Sequence, residues 1–244
     1  MPLSKPVKER VTELNARYKH HSATAVLEHA LQDAQVGKTA MVSSFGAESV
    51  VLLHLVSVID RTTPILFIDT QMLFSETLTY QHELTERLNL KDIRIIKATN
   101  EAVNFEDPDG TLHQFNTDAC CNLRKTVPLQ NALKNFDAWI TGRKRFQANS
   151  RSNIDFFENE NDIRIKINSL AHWTGDDLQT YMNGNRLPRH PLVAKGYPSI
   201  GCEPCTSLVK EGEDPRAGRW RNSNKQECGI HFVNGKAVRK TATA

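Results

Sequence analysis

The stretch Thr39-Ala-Met-Val-Ser-Ser-Phe-Gly-Ala-Glu-Ser-Val-Val-Leu-Leu-His-Leu-Val-Ser-Val-Ile59 sets the fold class. Thr39 to Ser44 is a short apolar run of strand length, a glycine-containing turn follows, and Ser49 to Ile59 reads as a helix. A strand that passes through a tight turn into a helix leaves the amides of the helix start pointing beyond the sheet edge, where the helix dipole favours an anion. An ordinary turn capped by Ser49 would have the same composition, since one glycine and several serines are a weak signature.

Moving outward from this unit, Pro64-Ile-Leu-Phe-Ile-Asp69 reads as a second strand, Ser75 to Leu88 as a second helix and Ile93-Arg-Ile-Ile-Lys97 as a third strand. Strands alternating with helices imply a mainly parallel sheet covered on both faces. Ala138 to Thr141 and Ile163 to Ile167 supply two further strands, for about five in all. Between them a helix spans residues 118 to 134, with a break expected near Pro128. Upstream, residues 6 to 36 carry Val26, Leu27, Ala30, Leu31 and Ala34 at helical spacing and form one or two amphipathic helices that pack on the sheet. Asn185 to Ala244 is rich in Pro, Gly, Arg and Lys with little periodicity, and reads as loops and a mobile tail over the active face. The expected organisation is one globular domain: a helical layer over 1–36, a doubly wound nucleotide-binding α/β core over 37–184, and a C-terminal segment over 185–244.

At 39% hydrophobic and 24% charged residues the chain has a soluble balance, and no apolar run is long enough to span a bilayer. The N-terminus MPLSKPVKER lacks the apolar core and small-residue cleavage site of an export signal, so a cytoplasmic, reducing location is expected. Net charge is +3, but residues 186–244 carry eleven Lys/Arg against five Asp/Glu. Such a basic quarter suits phosphate or sulfate, or else nucleic acid. The aromatic interleaving of single-strand binding is sparse there, with Tyr197 and Trp220 the main candidates, so the small-anion reading is preferred and no nucleic-acid partner is expected.

Five cysteines in a reducing compartment call for another explanation than disulfides. Cys120-Cys121 and Cys202-Glu-Pro-Cys205 are two close pairs some eighty residues apart, which folding can bring to one metal centre. Four thiolates suit a structural zinc ion or an iron–sulfur cluster. The adjacent pair is unusual for zinc and tilts the choice toward iron–sulfur. Lys125, four residues past Cys121, can approach this set and offset its negative charge. The leftover cysteine is Cys228, in Glu227-Cys-Gly-Ile-His231. Arg216, Arg219, Arg221, Lys225 and His231 are near enough in sequence to favour its thiolate if the tail folds over them, which makes it a candidate nucleophile. With no second free thiol to resolve an adduct, an outside dithiol protein is implied. Thr141-Gly-Arg-Lys-Arg-Phe-Gln147, continuing to Arg151, places a dense set of donors at a strand end, where Gly142 lets backbone approach a ligand.

These motifs, together with Ser43-Ser-Phe-Gly-Ala-Glu48, Phe67-Ile-Asp-Thr70, Arg124-Lys125 and Glu213-Asp-Pro-Arg-Ala-Gly-Arg-Trp220, resemble the assimilatory sulfonucleotide reductases, specifically the cluster-containing adenylyl-sulfate branch. The resemblance covers nearly the whole chain. It implies an adenine-nucleotide α-hydrolase-like fold with a modified pyrophosphate loop, which departs from the Ser-Gly-Gly-x-Asp-Ser form by having Phe45 and Glu48. It further implies a 4Fe-4S cluster on Cys120, Cys121, Cys202 and Cys205. Cys228 would then attack the sulfur of bound adenylyl sulfate, expel AMP and carry a sulfonate that thioredoxin releases as sulfite. By the same carry-over Ser43, Gly46, Ala47 and Glu48 contact the nucleotide and Thr70 lies near the adenosine. Gly142, Arg145, Gln147 and Arg151 frame the anionic portion, and Lys125, Arg216, Arg219 and His231 complete the substrate set. The alternatives are a 3′-phosphoadenylyl-sulfate or dual-specificity reductase, an ATP-dependent sulfurtransferase acting on tRNA, and a zinc-stapled binding module. The oligomeric state is left open, a homo-oligomer included.

Overall fold

The computed structural model describes residues 5–148, 151–221 and 225. Two helices, α1 (Val7–Tyr18) and α2 (Ala23–Gln32), precede β1 (Thr39–Ser43) and α3 (Ser49–Ile59); β2 (Ile65–Ile68), α4 (Ser75–Arg87) and β3 (Ile93–Ile96) follow. Short helices α5 (Asn100–Glu106), α6 (Leu112–Phe115), α7 (Thr117–Cys121) and α8 (Val127–Ala132) lead to β4 (Ala138–Ile140). The chain then forms β5 (Phe157–Glu160), β6 (Arg164–Ile167) and α9 (Gly175–Gly184).

The strands make one six-stranded sheet in the order β3-β2-β1-β4-β6-β5. All pairs are parallel except β5 with β6, and the register aligns Met41 with Ile65 and Met41 with Ile140 on the two sides of β1. Alternation along the strands divides the interior. Met41, Ile65 and Phe67 face a large core with α1, α2, α3 and α9, whereas Ala40, Val42, Leu66 and Ile68 face Leu129, Leu133, Phe136 and Trp139. In α3 the run Val50 to Val56 buries every apolar residue, each worth about 1.5–3 kcal/mol on removal from water.

The five strands read from the sequence are all present, and β5 is a sixth. Its sequence Phe-Glu-Asn-Glu buries Phe157 fully and has no apolar alternation to reveal it. What makes it a strand is the turn: Asn161 and Asp162 both have positive φ, 54° and 57°, and Ile163 N donates to Glu160 O at 3.0 Å, the geometry that folds a two-residue hairpin. Asn15 of α1 then caps the edge, its side chain exchanging hydrogen bonds with the Phe157 backbone at 2.8 and 3.0 Å.

The helix across the paired cysteines differs from expectation in where it deforms. The chain is helical from Thr117 through Asn135, but residues Asn122–Thr126 form a wide π turn just upstream of Pro128. Proline has no amide hydrogen and its ring collides with the carbonyl four residues back, here that of Arg124. Widening the preceding turn removes that collision without ending the helix.

Residues 185–221 are irregular, as their composition implies, yet pinned. Glu203 N donates to Met72 O at 2.8 Å, Leu73 bridges to Cys202 and Thr206 to Arg219. Leu192 and Ile200 pack with Phe74, and Trp220 is buried. Isolated anchors of this kind leave no period in a sequence, which is why the segment reads as loose. The expected mobile tail beyond residue 225 lies outside the described residues.

Candidate active site

A cavity of about 600 Å³ opens above the C-terminal ends of β1, β2 and β4. It sits at the point where the strand order reverses direction from β1, the place where open α/β sheets leave a crevice. Ser43, Gly46, Ala47, Glu48, Thr70, Lys125, Gly142, Gln147, Arg151, Arg216 and Arg219 all line it.

The turn after β1 is held by an aromatic anchor. Phe45 takes a left-handed backbone, φ 47°, at a cost of about 1–2 kcal/mol for an L-residue. Full burial of its ring against Phe67, with centroids 5.1 Å apart, offsets that strain, and Ser43 Oγ accepts from Phe45 N at 3.1 Å. The turn delivers the N-terminus of α3 to the cavity with no side chain capping it, so the positive end of its dipole faces the space where an anion would sit, while the Ser49 and Val51 amides donate to Gly46 O and Glu48 O within the turn. Across the cavity a Cβ on Gly142 would meet only Leu52 Cδ2, at 3.9 Å, so the protein leaves that position open.

The basic loop after β4 divides its charges. Lys144 is 2% exposed, and its Nζ lies 2.6 Å from Glu48 Oε2, which also accepts from Gln147 Nε2 at 2.8 Å. Burial pushes the Lys144 ammonium below its ordinary value; Glu48 opposes this, while Arg151 and Arg216 add to it. Gln147 Oε1 in turn accepts from Arg151 Nη1 at 2.5 Å. Arg145 is placed elsewhere: its guanidinium binds Ile154 O at 2.8 Å and pairs with Asp155, outside the cavity lining. The reason is local, since Lys144 is extended and its two neighbours therefore project differently. Arg143 turns its guanidinium to Glu158 and Asn168. Lys144, quoted within the motif but not singled out, is the cation that faces Glu48, and alternation along an extended loop was the signal for it.

Of the four cysteines named from the sequence Cys202 lines the cavity, and Cys120, Cys121 and Cys205 lie near it, close enough for their charges to act on one another. Cys120, Cys121 and Cys202 are buried and Cys205 is half-buried. The Cys120 thiol is pushed up to about 12, first by burial and then by its neighbours Cys121 and Cys202, with Cys205 also contributing. Burial also raises Cys205. Cys202 is the exception: burial would raise it, but the ammonium of Lys125, the Thr70 hydroxyl at 3.2 Å and the more distant Arg219 bring it below its usual value. Among the described residues no three His, Cys, Asp or Glu side chains are already arranged to hold one metal ion. The donor set itself, four soft thiols with cations beside them, fits a group ligated by thiolates.

Thr70 serves both walls. Its hydroxyl touches Cys202, and its carbonyl accepts from Arg124 Nη1 at 3.1 Å. Arg124 also makes a buried ion pair with Asp107, at 2.7 Å, which ties the π turn to the α5–α6 connection. Seventeen residues separate these partners, and no sequence pattern marks them. Arg219 lies over the Trp220 ring at 4.5 Å and against Gly201, where any Cβ would overlap its guanidinium; its Nε is buried with no hydrogen-bond partner. Cys228 and His231 lie outside the described residues. The chain leading to them is described at Lys225, whose Nζ is 2.7 Å from Asp118 Oδ1 on α7.

A family model described as the phosphoadenosine phosphosulfate reductase domain matches residues 38–208. The adenosine 5′-phosphosulfate reductase of Mesorhizobium japonicum is 48% identical over 226 residues, covering 93% of this chain and 89% of that protein. A protein of the same name from a Chelativorans species is 46% identical and covers 94% of each chain. The crystal structure of phosphoadenylyl-sulfate reductase from Candida auris, a phosphate complex, superposes with a TM-score of 0.70 at 27% identity, covering 83% of this chain and 97% of that one. Yeast FAD synthetase, with a TM-score of 0.51 and 17% identity over 85% of this chain and 77% of its own, shares the fold alone. The matched span begins just before β1 and ends beyond the second cysteine pair, taking in most of the cavity lining short of Arg216 and Arg219, and the chain belongs to the phosphoadenosine phosphosulfate reductase domain family.

Proposed function

We propose that this chain is an oxidoreductase that reduces adenylyl sulfate to sulfite and AMP in sulfate assimilation, with Cys228 as its nucleophile. The observation that carries the proposal is one cavity lined both by an anion seat at the α3 N-terminus, with Lys144, Arg151 and Arg216, and by Lys125 and Cys202, the latter gathered with the other three cysteines just behind the lining. The thiolate of Cys228 attacks the substrate sulfur, the S–O bond to the phosphate breaks, and AMP leaves with the electron pair. Lys144, Arg216 and the positive end of the α3 dipole stabilise the charge that develops on the phosphate. A dithiol protein of the thioredoxin class then attacks the modified Cys228, sulfite departs, and the two thiols supply two electrons by closing to a disulfide. Residues 1–36 cover the sheet, 37–184 seat the nucleotide, and 185–244 bring the second cysteine pair and the nucleophile.

Cys120, Cys121, Cys202 and Cys205 would hold a 4Fe-4S cluster, which supplies a charged, thiolate-ligated centre beside the substrate sulfur. Toward it, Lys125 and Arg219 act against burial to bring the Cys202 thiol below its ordinary value, and the Thr70 hydroxyl lies 3.2 Å from that sulfur. No helix among the described residues is long and apolar enough to cross a membrane, and the reducing chemistry is consistent with a cytoplasmic location.

The likeness to a phosphoadenylyl-sulfate reductase supports a second reading, use of the 3′-phosphorylated nucleotide. The greater identity to proteins named for adenosine 5′-phosphosulfate favours the first. Incubation with adenylyl sulfate and no reductant should add about 80 Da, an SO3 group, to the Cys228 peptide. An unmodified peptide would refute the nucleophile, and a higher kcat/KM for the 3′-phosphorylated nucleotide would refute the substrate. Anaerobically purified protein should be brown, with iron and acid-labile sulfide; a colourless protein carrying zinc would overturn the cluster.

A further inference from the structure

Asn168, just past the end of β6, is fully buried and does not itself line the cavity. A side-chain amide can accept two hydrogen bonds and donate two, and here all four are made. Oδ1 accepts from Thr141 Oγ1 at 2.7 Å and from Arg143 Nη2 at 3.1 Å. Nδ2 donates to Asp155 O at 2.9 Å and to Glu158 Oε2 at 2.7 Å. Donors on one side and acceptors on the other fix which end of the amide is oxygen. Its neighbours Ile165, Ile167, Leu170 and Ala171 all belong to the core, where an apolar side chain would be the ordinary choice. An amide is tolerated there because every polar atom is paired.

These bonds gather the segments that carry the basic loop after β4. Thr141 Oγ1 also accepts from Arg143 N at 3.3 Å, and Arg143 Nη2 donates to Glu158 as well as to Asn168. The Asn168 backbone adds a further link: its carbonyl accepts from Ala171 N at 2.9 Å, and Ala171 O accepts from Arg145 N at 3.0 Å. Residues 141, 143 and 145 are thus each tied to Asn168, directly or through one intermediate. Lys144 is extended, so anchoring the residues on either side of it turns its own side chain the other way, to Glu48 in the cavity.

We propose that Asn168 is a positioning residue for nucleotide binding, its amide aligning the loop so that the Lys144 ammonium faces the phosphate of the ligand. The proposal rests on the reading of the cavity as a nucleotide site and deepens it. Asn168 touches neither ligand nor reacting atoms and acts through Thr141 and Arg143. Exchange for aspartate keeps the size and the Oδ1 acceptor, but it sets an oxygen against the Glu158 carboxylate and the Asp155 carbonyl. The hub then moves away from Glu158, and the loop moves with it.

The test is calorimetric titration of the full-length protein with AMP and with adenosine, beside urea unfolding that identifies conditions under which each variant is folded. Asn168→Asp should raise the AMP Kd about 10- to 100-fold, the worth of one charge-assisted hydrogen bond, and leave the adenosine Kd unchanged, because only the phosphate meets Lys144. Thr141→Val removes just the hydroxyl that joins hub to loop; it should show the same selective loss, about 3- to 10-fold, and keeps the proposal testable if the aspartate variant does not fold. Asn168→Asp/Glu158→Gln should recover most of the AMP affinity, since the introduced amide can donate to the introduced carboxylate. An AMP Kd at the wild-type value in the folded variants overturns the proposal. So does an equal loss of AMP and adenosine affinity, which would mark general damage to the cavity. Wild-type protein that binds neither compound overturns the nucleotide reading instead, and the two failures are thereby distinguished.

Discussion

Replacing Arg124 by leucine should unfold this protein more readily than any single change on its surface. The guanidinium binds Asp107 Oδ2 through Nε at 3.1 Å and Nη2 at 2.7 Å, and its Nη1 binds Thr70 O at 3.1 Å and Gln71 Oε1 at 3.2 Å. Side chains of the pair are 5% and 1% exposed. Leucine fills part of the volume but leaves a buried carboxylate with the Leu112 amide, at 2.8 Å, and without its cation. Stranding one member of a buried pair costs about 3–5 kcal/mol. Urea unfolding followed by tryptophan fluorescence should show that loss as a lower midpoint at unchanged slope. Removing both charges, in Arg124→Leu/Asp107→Leu, should recover at least half of it, because the penalty lies in the uncompensated charge. The pair also has an acid signature. Burial pushes Asp107 up, but the Leu112 amide and Arg124 outweigh it and hold the carboxyl below its ordinary value of 3.8. The stability it contributes is therefore present above that pH and is lost as pH falls through the lower folded value, an arm that Arg124→Leu should move upward. A loss below about 1 kcal/mol in the single variant, typical of an exposed pair, would refute the reasoning.

Further outcomes are expected at other positions. Gly201→Ala puts a methyl where the Arg219 guanidinium lies; nucleotide Kd should rise about 10- to 100-fold, the worth of one charge-assisted contact, with little change in stability, and an unchanged Kd would show that Arg219 holds no anion. Cys121→Ser and Cys205→Ser should each bleach the visible absorption, whereas Cys228→Ser should keep it and lose sulfite formation; retained turnover in the last variant would exclude covalent catalysis there. His190 accepts from Leu192 N at 3.2 Å and pairs with Thr77 Oγ1 at 3.1 Å, and burial lowers its pKa from 6.5 to about 4. Between those values the unfolded chain binds the proton and the folded chain does not, so stability worth up to about 3 kcal/mol is complete above 6.5 and drains away as pH falls toward 4. His190→Gln should flatten this slope in urea titrations across that window; an identical slope in both proteins would mean the ring is not held neutral.

The parallel core was legible because burial on both faces leaves unbroken apolar runs, as in Met41-Val42 and Ile65 to Ile68. β5 was not, since a hairpin partner held by its turn needs no apolar alternation, although Asn161-Asp162 was the available sign. The cysteine set could be named from spacing alone, but its gathering depends on the crossover from β3 to β4 and on the Leu73–Cys202 bridge, which are facts of topology. Composition marked the loop after Gly142 as an anion site without saying which of its cations would face inward. Arg145 and Lys144 are neighbours of like charge, and only the extended backbone between them assigns one to Asp155 and the other to Glu48. Long-range pairs such as Arg124 with Asp107 have no signature that a single sequence can display.

The wide turn at Asn122–Thr126 makes the length of this segment matter as much as its chemistry. A π turn accommodates an extra residue relative to α-helical geometry, so shortening the segment by one would let it relax into regular α-helix. That relaxation would swing Thr117 to Cys121 by about 100° relative to everything downstream. The helix would gain regularity while the adjacent sulfurs rotated out of line with those on the 202–205 loop. Local imperfection in this stretch is thus a phase adjustment: it sets the angular offset at which one half of the ligand set meets the other.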